Sequence, residues 1–175
     1  MTTKKIKVLV TGSAGFIGSH IVTALLERKI PVVGIDSINN YYDVHLKSER
    51  LLRNGIRKEH IISAKNKKVK SVLFPDLYSF YRENICNSSQ ILDIFRKEQF
   101  THICHLAAQA GVRHSLAYPH TYIDSNVTGF LNILEGARSY PVEHLVYASS
   151  SSVYGLNALY PSSESDNTDC PSSLY

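Results

Sequence analysis

The sequence predicts an α/β protein built around an open, doubly wound parallel sheet. Short segments that are apolar on both faces alternate with segments of helical periodicity, and a glycine-rich turn joins the first strand to the first helix. With 175 residues, 43% of them hydrophobic and 19% charged, the chain has the size of one globular domain. We therefore expect a single domain over residues 1–175.

Each expected strand is a short, mostly apolar run, and the five runs are 6–11, 31–36, 78–83, 102–106 and 144–148. A helical pattern follows each of the first four strands, at 16–29, at 44–52, from 88 onward and at 119–140. This order implies parallel pairing through right-handed crossovers, so helices should cover both faces of the sheet.

Apolar residues at helical spacing predict the buried faces of three of these helices. Those faces are Phe16, Ile17, Ile21, Leu25 and Leu26; Ile91, Leu92, Ile94 and Phe95; and Ile123, Val127, Phe130, Leu131 and Leu134. Ser88 is placed to cap its helix, Pro119 to open the last helix and Pro141 to end it.

Two stretches lack a clear period. Residues 37–78 combine a helical signal with the lysine-rich segment Lys65-Asn66-Lys67-Lys68-Val69-Lys70, which we interpret as a solvated loop and not as a nucleic-acid-binding patch. Residues 149–175 are polar and rich in serine and proline, so we expect irregular structure there.

Composition excludes several classes of protein. No apolar run approaches the length of a spanning helix, and the N-terminus lacks a secretory signal, so a soluble cytoplasmic protein without membrane association is expected. Cys86, Cys104 and Cys170 are odd in number and widely spaced, which favours free thiols. Strand alternation separates His105 from His102 and Cys104, so no metal site is expected there.

The first turn predicts an anion site. Gly12, Gly15 and Gly18 form G-x-x-G-x-x-G at the start of a helix, where backbone N–H groups and the helix dipole favour a diphosphate. The usual dinucleotide fingerprint is G-x-G-x-x-G, so this turn matches it in how it would bind phosphate and not in its spacing.

Asp36 ends the second strand 18 residues beyond Gly18, close to the ~20 at which an acid meets the ribose hydroxyls. A carboxylate there would repel a 2′-phosphate, which favours NAD over NADP; ordinary turn glycines and a capping aspartate are the alternative.

Longer stretches resemble the extended short-chain dehydrogenases and, within them, the nucleotide-sugar 4-epimerases, most of all the UDP-glucuronate 4-epimerases. The stretches are TGSAGFIGSH (11–20), GIDSINNYYD (34–43), HLAAQAGVR (105–113), SNVTG (125–129) and YASSSSVYG (147–155). The resemblance covers nearly the whole chain and implies a Rossmann-like domain that binds NAD.

The resemblance also implies which residues bind the cofactor: Gly12, Gly15, Phe16, Ile17, Gly18, Asp36, Asn84, Ile85, Leu106, Ala107, Ala108, Gln109 and Asn126. One position departs from the family, because relatives carry an acidic residue facing adenine where this chain has Asn84. An amide oxygen can still accept the adenine amino proton, so weaker binding is expected there.

By the same resemblance the catalytic residues are Ser150 and Tyr175, with Arg113, Ser151 and Ser152 binding the sugar. In this family the tyrosine takes the proton of the sugar 4-hydroxyl while C4 passes hydride to NAD, and a lysine four residues later favours the tyrosine anion. Tyr175 is the last residue of the sequence. We therefore expect a truncated chain that lacks the remaining strands and the substrate domain and has negligible epimerase activity, with a natural terminus as the alternative.

Two other functions remain open. A nucleotide-sugar 4,6-dehydratase resembles STDEVYG where this chain has SSSSVYG, and the loss of two carboxylates counts against that reaction. A non-catalytic dinucleotide-binding module is the second. The parent protein is expected to be a homodimer that uses a UDP-sugar in surface polysaccharide precursor synthesis.

Overall fold

The computed structural model describes residues 5–63, 67–156 and 161–175. Its centre is a six-stranded sheet in the order β3-β4-β2-β1-β5-β6, with every pair parallel except β3–β4. The strands are β1 (Val8–Thr11), β2 (Val32–Asp36), β3 (Lys68–Lys70), β4 (Tyr78–Arg82), β5 (His102–His105) and β6 (His144–Tyr147). The predicted doubly wound fold is confirmed, and each of the five predicted strands is slightly shorter than expected.

The helices are α1 (Phe16–Glu27), α2 (Val44–Arg53), α3 (Lys58–Ser63), α4 (Ser88–Glu98), α5 (Val112–Ala117), α6 (Pro119–Tyr122) and α7 (Gly129–Ser139). A π-helical turn, Ile123–Thr128, joins α6 to α7, and a 3₁₀ turn, Ser151–Tyr154, follows β6. Ser88 begins α4, and the N-cap position belongs to Asn87, so the predicted cap is wrong by one residue. No helix in the described ranges has the length and apolarity needed to cross a membrane.

Two apolar cores lie on opposite faces of the sheet, because neighbouring strand residues point to opposite sides. Val8 and Val10 face one core, which Val22 and Leu26 of α1 complete. Leu9 faces the other, which α4 and α7 cover. Strands β1 and β2 are buried throughout, so both contribute to both cores. The three cysteines are free thiols, as expected.

Strand β3 corrects the interpretation of the lysine-rich segment as a loop. Lys68–Lys70 pairs antiparallel with β4, with Val69 opposite Phe80, while residues 65 and 66 lie outside the described residues. The Lys68 Nζ lies 2.9 Å from a carboxylate oxygen of Glu98, which is 4% exposed. Pairing with β4 and this ion pair stabilise the strand. Neither is visible in the hydrophobic periodicity of the sequence.

The buried face predicted for the helix at 119–140 is wrong at four of its five residues; the exception is Phe130, which is half-buried and packs against the core. Val127 and Leu131 are 57% and 53% exposed, and Ile123 and Leu134 are each 41% exposed. The buried residues of α7 are Gly129, Ile133 and Gly136. A Cβ on Gly129 would lie 2.6 Å from Ile85, and one on Gly136 would lie 2.7 Å from Phe95. The helix therefore packs through Ile133 and its two glycines, which let it approach closely, while Leu131 and Leu134 are exposed.

Candidate functional site

The turn after β1 closes through its glycines. Gly12 has a φ of +67°, and a Cβ on it would lie 2.9 Å from backbone atoms of Leu106 and Ala107. The Gly15 N–H donates to the Gly12 carbonyl oxygen at 2.9 Å, and a Cβ on Gly18 would overlap that oxygen. The spacing of the glycines thus follows from how tightly the turn brings α1 against the end of β1.

The start of α1 is open to a ligand. Gly15 occupies the N-cap position without a side-chain cap, so the first amide groups of the helix have no partner within it. Phe16 and Ile17 beside them are 69% and 60% exposed, which means that they lie at the mouth of the turn and not on the buried face of α1. Such an N-terminus offers N–H donors and positive potential to a phosphate.

Asp36 links the end of β2 to the turn. Its side chain is buried, with Oδ2 accepting from the Ala14 N–H at 3.1 Å and Oδ1 from the Ile38 N–H at 2.9 Å. Burial raises the pKa of this carboxyl, and the Ile38 N–H and the Lys47 ammonium oppose that shift. A carboxylate has about four acceptor positions, so two bonds leave capacity for ribose hydroxyls.

Next to Asp36, a cleft of about 520 Å³ is lined by Ser37, Asn39, Arg82, Glu83 and Asn84. Asn84 is exposed at its rim. Its Oδ1 accepts from the Cys86 N–H at 3.0 Å, and its own N–H donates to Glu83 Oε1 at 2.9 Å. The Asn84 side chain is thereby oriented by the loop before α4.

Ile85, predicted beside Asn84, has its side chain in the core and is 6% exposed. It packs against Gly129, and its carbonyl oxygen accepts from Asn132 Nδ2 at 2.9 Å. Ile85 therefore joins the loop after β4 to α7.

Thr11 anchors the segment that follows β5. Its Oγ1 accepts from the N–H groups of Leu106 and Ala107, each at 3.1 Å, and lies 2.8 Å from His105 Nδ1. Since this oxygen already accepts two bonds, its own proton points to Nδ1, which places the imidazole proton on Nε2. Burial lowers the pKa of His105 to about 4, so the ring is neutral.

Asn126 holds the same segment from the π-helical turn. Its Oδ1 accepts from the Gln109 N–H at 2.8 Å, and its Nδ2 donates to the Gln109 carbonyl at 3.0 Å. The Asn126 side chain thus satisfies both the N–H and the carbonyl oxygen of Gln109, as a residue of a neighbouring β-strand would. Asn126 therefore fixes the backbone of Gln109, at the end of the segment 106–109.

A second cleft, of about 190 Å³, brings together several predicted site residues. Its lining comprises His105, Leu106, Ala107, Ala108, Asn126, Phe130, Tyr147, Ala148, Ser149, Ser150, Val153 and Tyr175. The predicted cofactor segment and both predicted catalytic residues therefore share one cleft at the carboxyl edge of β5 and β6. Ser150 Oγ accepts from the Ser152 N–H at 3.1 Å, and the Tyr175 ring lies edge-on to Tyr122 at 5.9 Å.

The predicted sugar-binding residues lie outside that lining. Ser151 and Ser152 follow Ser150 on the 3₁₀ turn, and Arg113 is exposed on α5. The structure thus brings Ser150 and Tyr175 to the cofactor segment, whereas Arg113, Ser151 and Ser152 are not part of the cleft lining.

Sequence reasoning missed four residues that shape the site. Lys47 faces Asp36 from α2, Thr11 and His105 support residue 106, and the Tyr122 hydroxyl lies 2.7 Å from the carbonyl oxygens of Ala110 and Gly111. Thr11 was detectable as a polar residue at the end of an apolar strand. Lys47 and Tyr122 carried no such signal, because their burial depends on tertiary packing.

Across the described residues, no group of three or more His, Cys, Asp or Glu side chains is arranged to hold a metal ion.

Comparison with known proteins gives consistent matches. Residues 8–175 match the family described as NAD dependent epimerase/dehydratase. Protein CapI of Staphylococcus aureus is 46% identical over 169 residues, which cover 97% of this chain and 45% of CapI. UDP-glucuronate 4-epimerase 4 of Arabidopsis thaliana is 44% identical over 179 residues, covering 99% of this chain and 36% of that protein.

A solved structure has the same fold. A mutant UDP-glucuronic acid 4-epimerase from Bacillus cereus, in complex with UDP-4-deoxy-4-fluoro-glucuronic acid and NAD, superimposes with a TM-score of 0.74 at 28% identity. The match covers 97% of this chain and 47% of that one. The chain spans less than half the length of these relatives. Since the family match runs from the first residue of β1, through the glycine turn, to Tyr175, this chain belongs to the NAD dependent epimerase/dehydratase family, and its cofactor is NAD.

Proposed function

We propose that this chain is the NAD-binding portion of a UDP-sugar 4-epimerase and that the sugar nucleotide is UDP-glucuronate. The observation that carries the proposal is the single cleft lined by residues 106–108, Ser150 and Tyr175. Moving a hydride and a proton at one sugar carbon requires the cofactor and the acid–base group side by side. The relatives described above whose names state an activity are 4-epimerases of UDP-glucuronate.

NAD fits the residues present. Gly12 and Gly18 stand where a Cβ would meet backbone, as a close approach of diphosphate to the turn requires. In the proposal Gly12, Gly15, Phe16, Ile17 and Gly18 hold the diphosphate.

The remaining assignments follow the chain along the carboxyl edge of the sheet. Asp36 accepts from the ribose hydroxyls, and Asn84 meets the adenine edge with Ile85 packed beneath it. Leu106, Ala107, Ala108 and Gln109 line the nicotinamide half, where small side chains allow a flat approach. Asn126 keeps that segment in place through its two bonds to Gln109.

Bound NAD supplies the acceptor for a hydride from the sugar and later returns it. Tyr175 takes the proton of the 4-hydroxyl, and Ser150 donates a hydrogen bond to the same oxygen. A tyrosine of ordinary pKa ~10 needs a nearby cation to act as a base at neutral pH. The resemblance assigns that cation to a lysine four residues beyond Tyr175, so we expect negligible turnover by these 175 residues alone.

Sugar recognition is assigned to Arg113, Ser151 and Ser152. The guanidinium of Arg113 is suited to bidentate pairing with the carboxylate of a uronic acid. Hydroxyls at 151 and 152 supply hydrogen bonds but not the extra acid and base that removal of a 6-hydroxyl requires, which supports epimerisation over 4,6-dehydration. We assign the whole protein to the cytoplasm, as a homodimer that supplies precursors for surface polysaccharide.

Calorimetric titration of the 175-residue protein with NAD and NADP tests the cofactor assignment. We expect NAD to bind, NADP to bind more weakly, and Asp36→Asn to lower NAD affinity roughly tenfold while narrowing the gap to NADP, because a charged acceptor for the ribose is lost. Asp43→Asn is the control, since Asp43 only caps α2 by accepting from the His45 N–H at 2.7 Å. No heat with NAD would refute the proposal.

Epimerisation of UDP-glucuronate, followed by NMR for this chain and for one extended by a family segment that supplies the lysine, tests the reaction. We expect turnover only in the extended protein. Turnover in neither, with NAD bound to both, would favour a non-catalytic dinucleotide-binding module.

A further inference from the structure

Lys47 is a nearly buried ammonium beside Asp36. It lies on α2 and is 6% exposed, whereas lysines are almost never buried unless their charge is paired. Its Nζ donates to Asn39 Oδ1 at 2.7 Å and to the Asn39 carbonyl oxygen at 2.9 Å. Both bonds go to one residue, so Lys47 holds the backbone and the side chain of Asn39 together.

The loop that contains Asn39 needs this anchor because the backbone before it is strained. Ile38 has a φ of +53°, in the left-handed region that β-branched residues avoid. The Ile38 N–H donates to Asp36 Oδ1, and its side chain is buried in the core. Asp36 therefore pins the loop at one residue and Lys47 pins it at the next.

Charge couples the same groups. Burial raises the pKa of Asp36, and the ammonium of Lys47 and the guanidinium of Arg50 oppose this shift. Burial lowers the pKa of Lys47, and the carboxylate of Asp36 opposes that shift in turn. Each group favours the charged form of the other, and an ionised carboxylate is the stronger acceptor for a hydroxyl.

Asn39 faces open space while Lys47 does not. Asn39 is exposed and lines the cleft of about 520 Å³ next to Asp36, and Lys47 is absent from that lining. A role for Lys47 in ligand binding is therefore exerted through Asn39 and Asp36.

We propose that Lys47 is a positioning residue for the adenosine half of NAD, fixing Asn39 at the mouth of this cleft and keeping Asp36 ready to accept from the ribose. The inference rests on the proposed assignment of Asp36 and the cleft to adenosine. A loop held in its binding conformation beforehand does not have to be ordered by the ligand, which strengthens binding.

Calorimetric titration of the 175-residue protein with AMP and with NAD tests this role. Lys47→Met keeps an unbranched apolar chain and removes the ammonium, and we expect it to weaken both ligands roughly tenfold or more. Lys47→Arg keeps the charge and the donors and should recover most of the affinity. Lys58→Met removes an exposed ion pair with Glu49 at 2.8 Å and should bind both ligands as the wild type does.

A second variant separates positioning from a purely structural role. Asn39→Ala alters an exposed residue and leaves the bond from Lys47 to the Asn39 carbonyl oxygen, so it should fold even if Lys47→Met does not. We expect weaker AMP binding, measured at a temperature at which the ligand-free variant is fully folded. The double variant should bind AMP no more weakly than Lys47→Met alone, because the two side chains act as one unit. Wild-type AMP affinity in Asn39→Ala and Lys47→Met would overturn the role of Lys47 alone, whereas absence of AMP and NAD binding in the wild type would overturn the adenosine site itself.

Discussion

The two halves of the candidate site differ in how the rest of the protein holds them. In the half formed by the glycine turn and Asp36, hydrogen bonds join distant parts of the chain, such as Ala14 to Asp36 and Thr11 to Leu106. In the half that contains Ser150, the side chain of that residue accepts from the Ser152 N–H and its carbonyl oxygen accepts from the Val153 N–H, both within the same turn. The bonds that join Ala14 to Asp36 and Thr11 to Leu106 are thus long-range, whereas those of Ser150 are local.

Sheet position explains the difference. Strands β1 and β2 lie between neighbours on both sides, and their residues are buried throughout. Strand β6 is the last in the order, and Val146 and Tyr147 on it are 50% and 55% exposed. The serine turn that follows β6 therefore starts from a strand with a partner on one side only.

We infer from this contrast that the proposed dinucleotide binding and the proposed sugar chemistry depend on different parts of the chain. The glycine turn, Asp36 and the segment after β5 all lie at the carboxyl ends of strands in the centre of the sheet. Mutations in the half formed by the glycine turn and Asp36 should therefore weaken NAD binding. Mutations in the half that contains Ser150 should leave NAD binding intact.

The largest effect is expected from the titration of His105, which lies beneath the firmly held half. The pKa of this imidazole is lowered from 6.5 to about 4 by burial, so in this pH range the unfolded chain binds its proton more readily than the folded one. The contribution to stability is full above pH 6.5 and declines as pH falls toward 4, by about 3 kcal/mol in total.

Urea unfolding from pH 7 to pH 4 measures that slope. His105→Phe removes the titrating group and should flatten the dependence, whereas Thr11→Val removes the hydrogen-bond partner and should retain it, because burial is the cause. If the free energy of unfolding depended on pH in the same way in His105→Phe and in the wild type, His105 would not be the source of the pH dependence.

The second effect is the loss of NAD affinity in Gly18→Ala. The new methyl group would overlap the Gly12 carbonyl oxygen, so the turn must shift, at a cost of roughly 1–3 kcal/mol or up to about a hundredfold in affinity. Gly136→Ala crowds Phe95 far from the turn and should lower the melting temperature while folded protein still binds NAD normally. Equal NAD affinity in the two variants would contradict the idea that the turn alone carries the diphosphate.

Much of the fold was predictable because buried parallel strands leave continuous apolar runs in the sequence. Strand β3 was not, since Lys-Val-Lys has a single apolar residue and depends on β4 and Glu98 for its place. The packing face of α7 was missed for a different reason. The spacing of large apolar residues such as leucine and valine was used to predict the buried face, whereas Gly129 and Gly136 make close contacts in the structure.

The candidate site divides in the same way. The positions of Gly12, Gly18 and Asp36 were predictable, because a tight turn after a strand and the end of the next strand are visible in the sequence spacing. Lys47 was not, because a lysine on a short polar helix normally faces water. Its burial follows from contact with a loop whose shape no local pattern specifies.

The smallest effect on NAD binding is expected in the loosely held half. Ser150→Ala removes an acceptor from a half-buried turn and should change NAD affinity less than about twofold and stability by less than about 0.5 kcal/mol. Thr11→Val is the matched variant, because it removes a hydroxyl from the firm half and leaves the Leu106 and Ala107 N–H groups without their acceptor. Calorimetry with NAD on both proteins should show a clear loss only for Thr11→Val. If Ser150→Ala lost as much affinity as Thr11→Val, the serine turn would belong to the cofactor-binding half, and the separation of the two functions would be wrong.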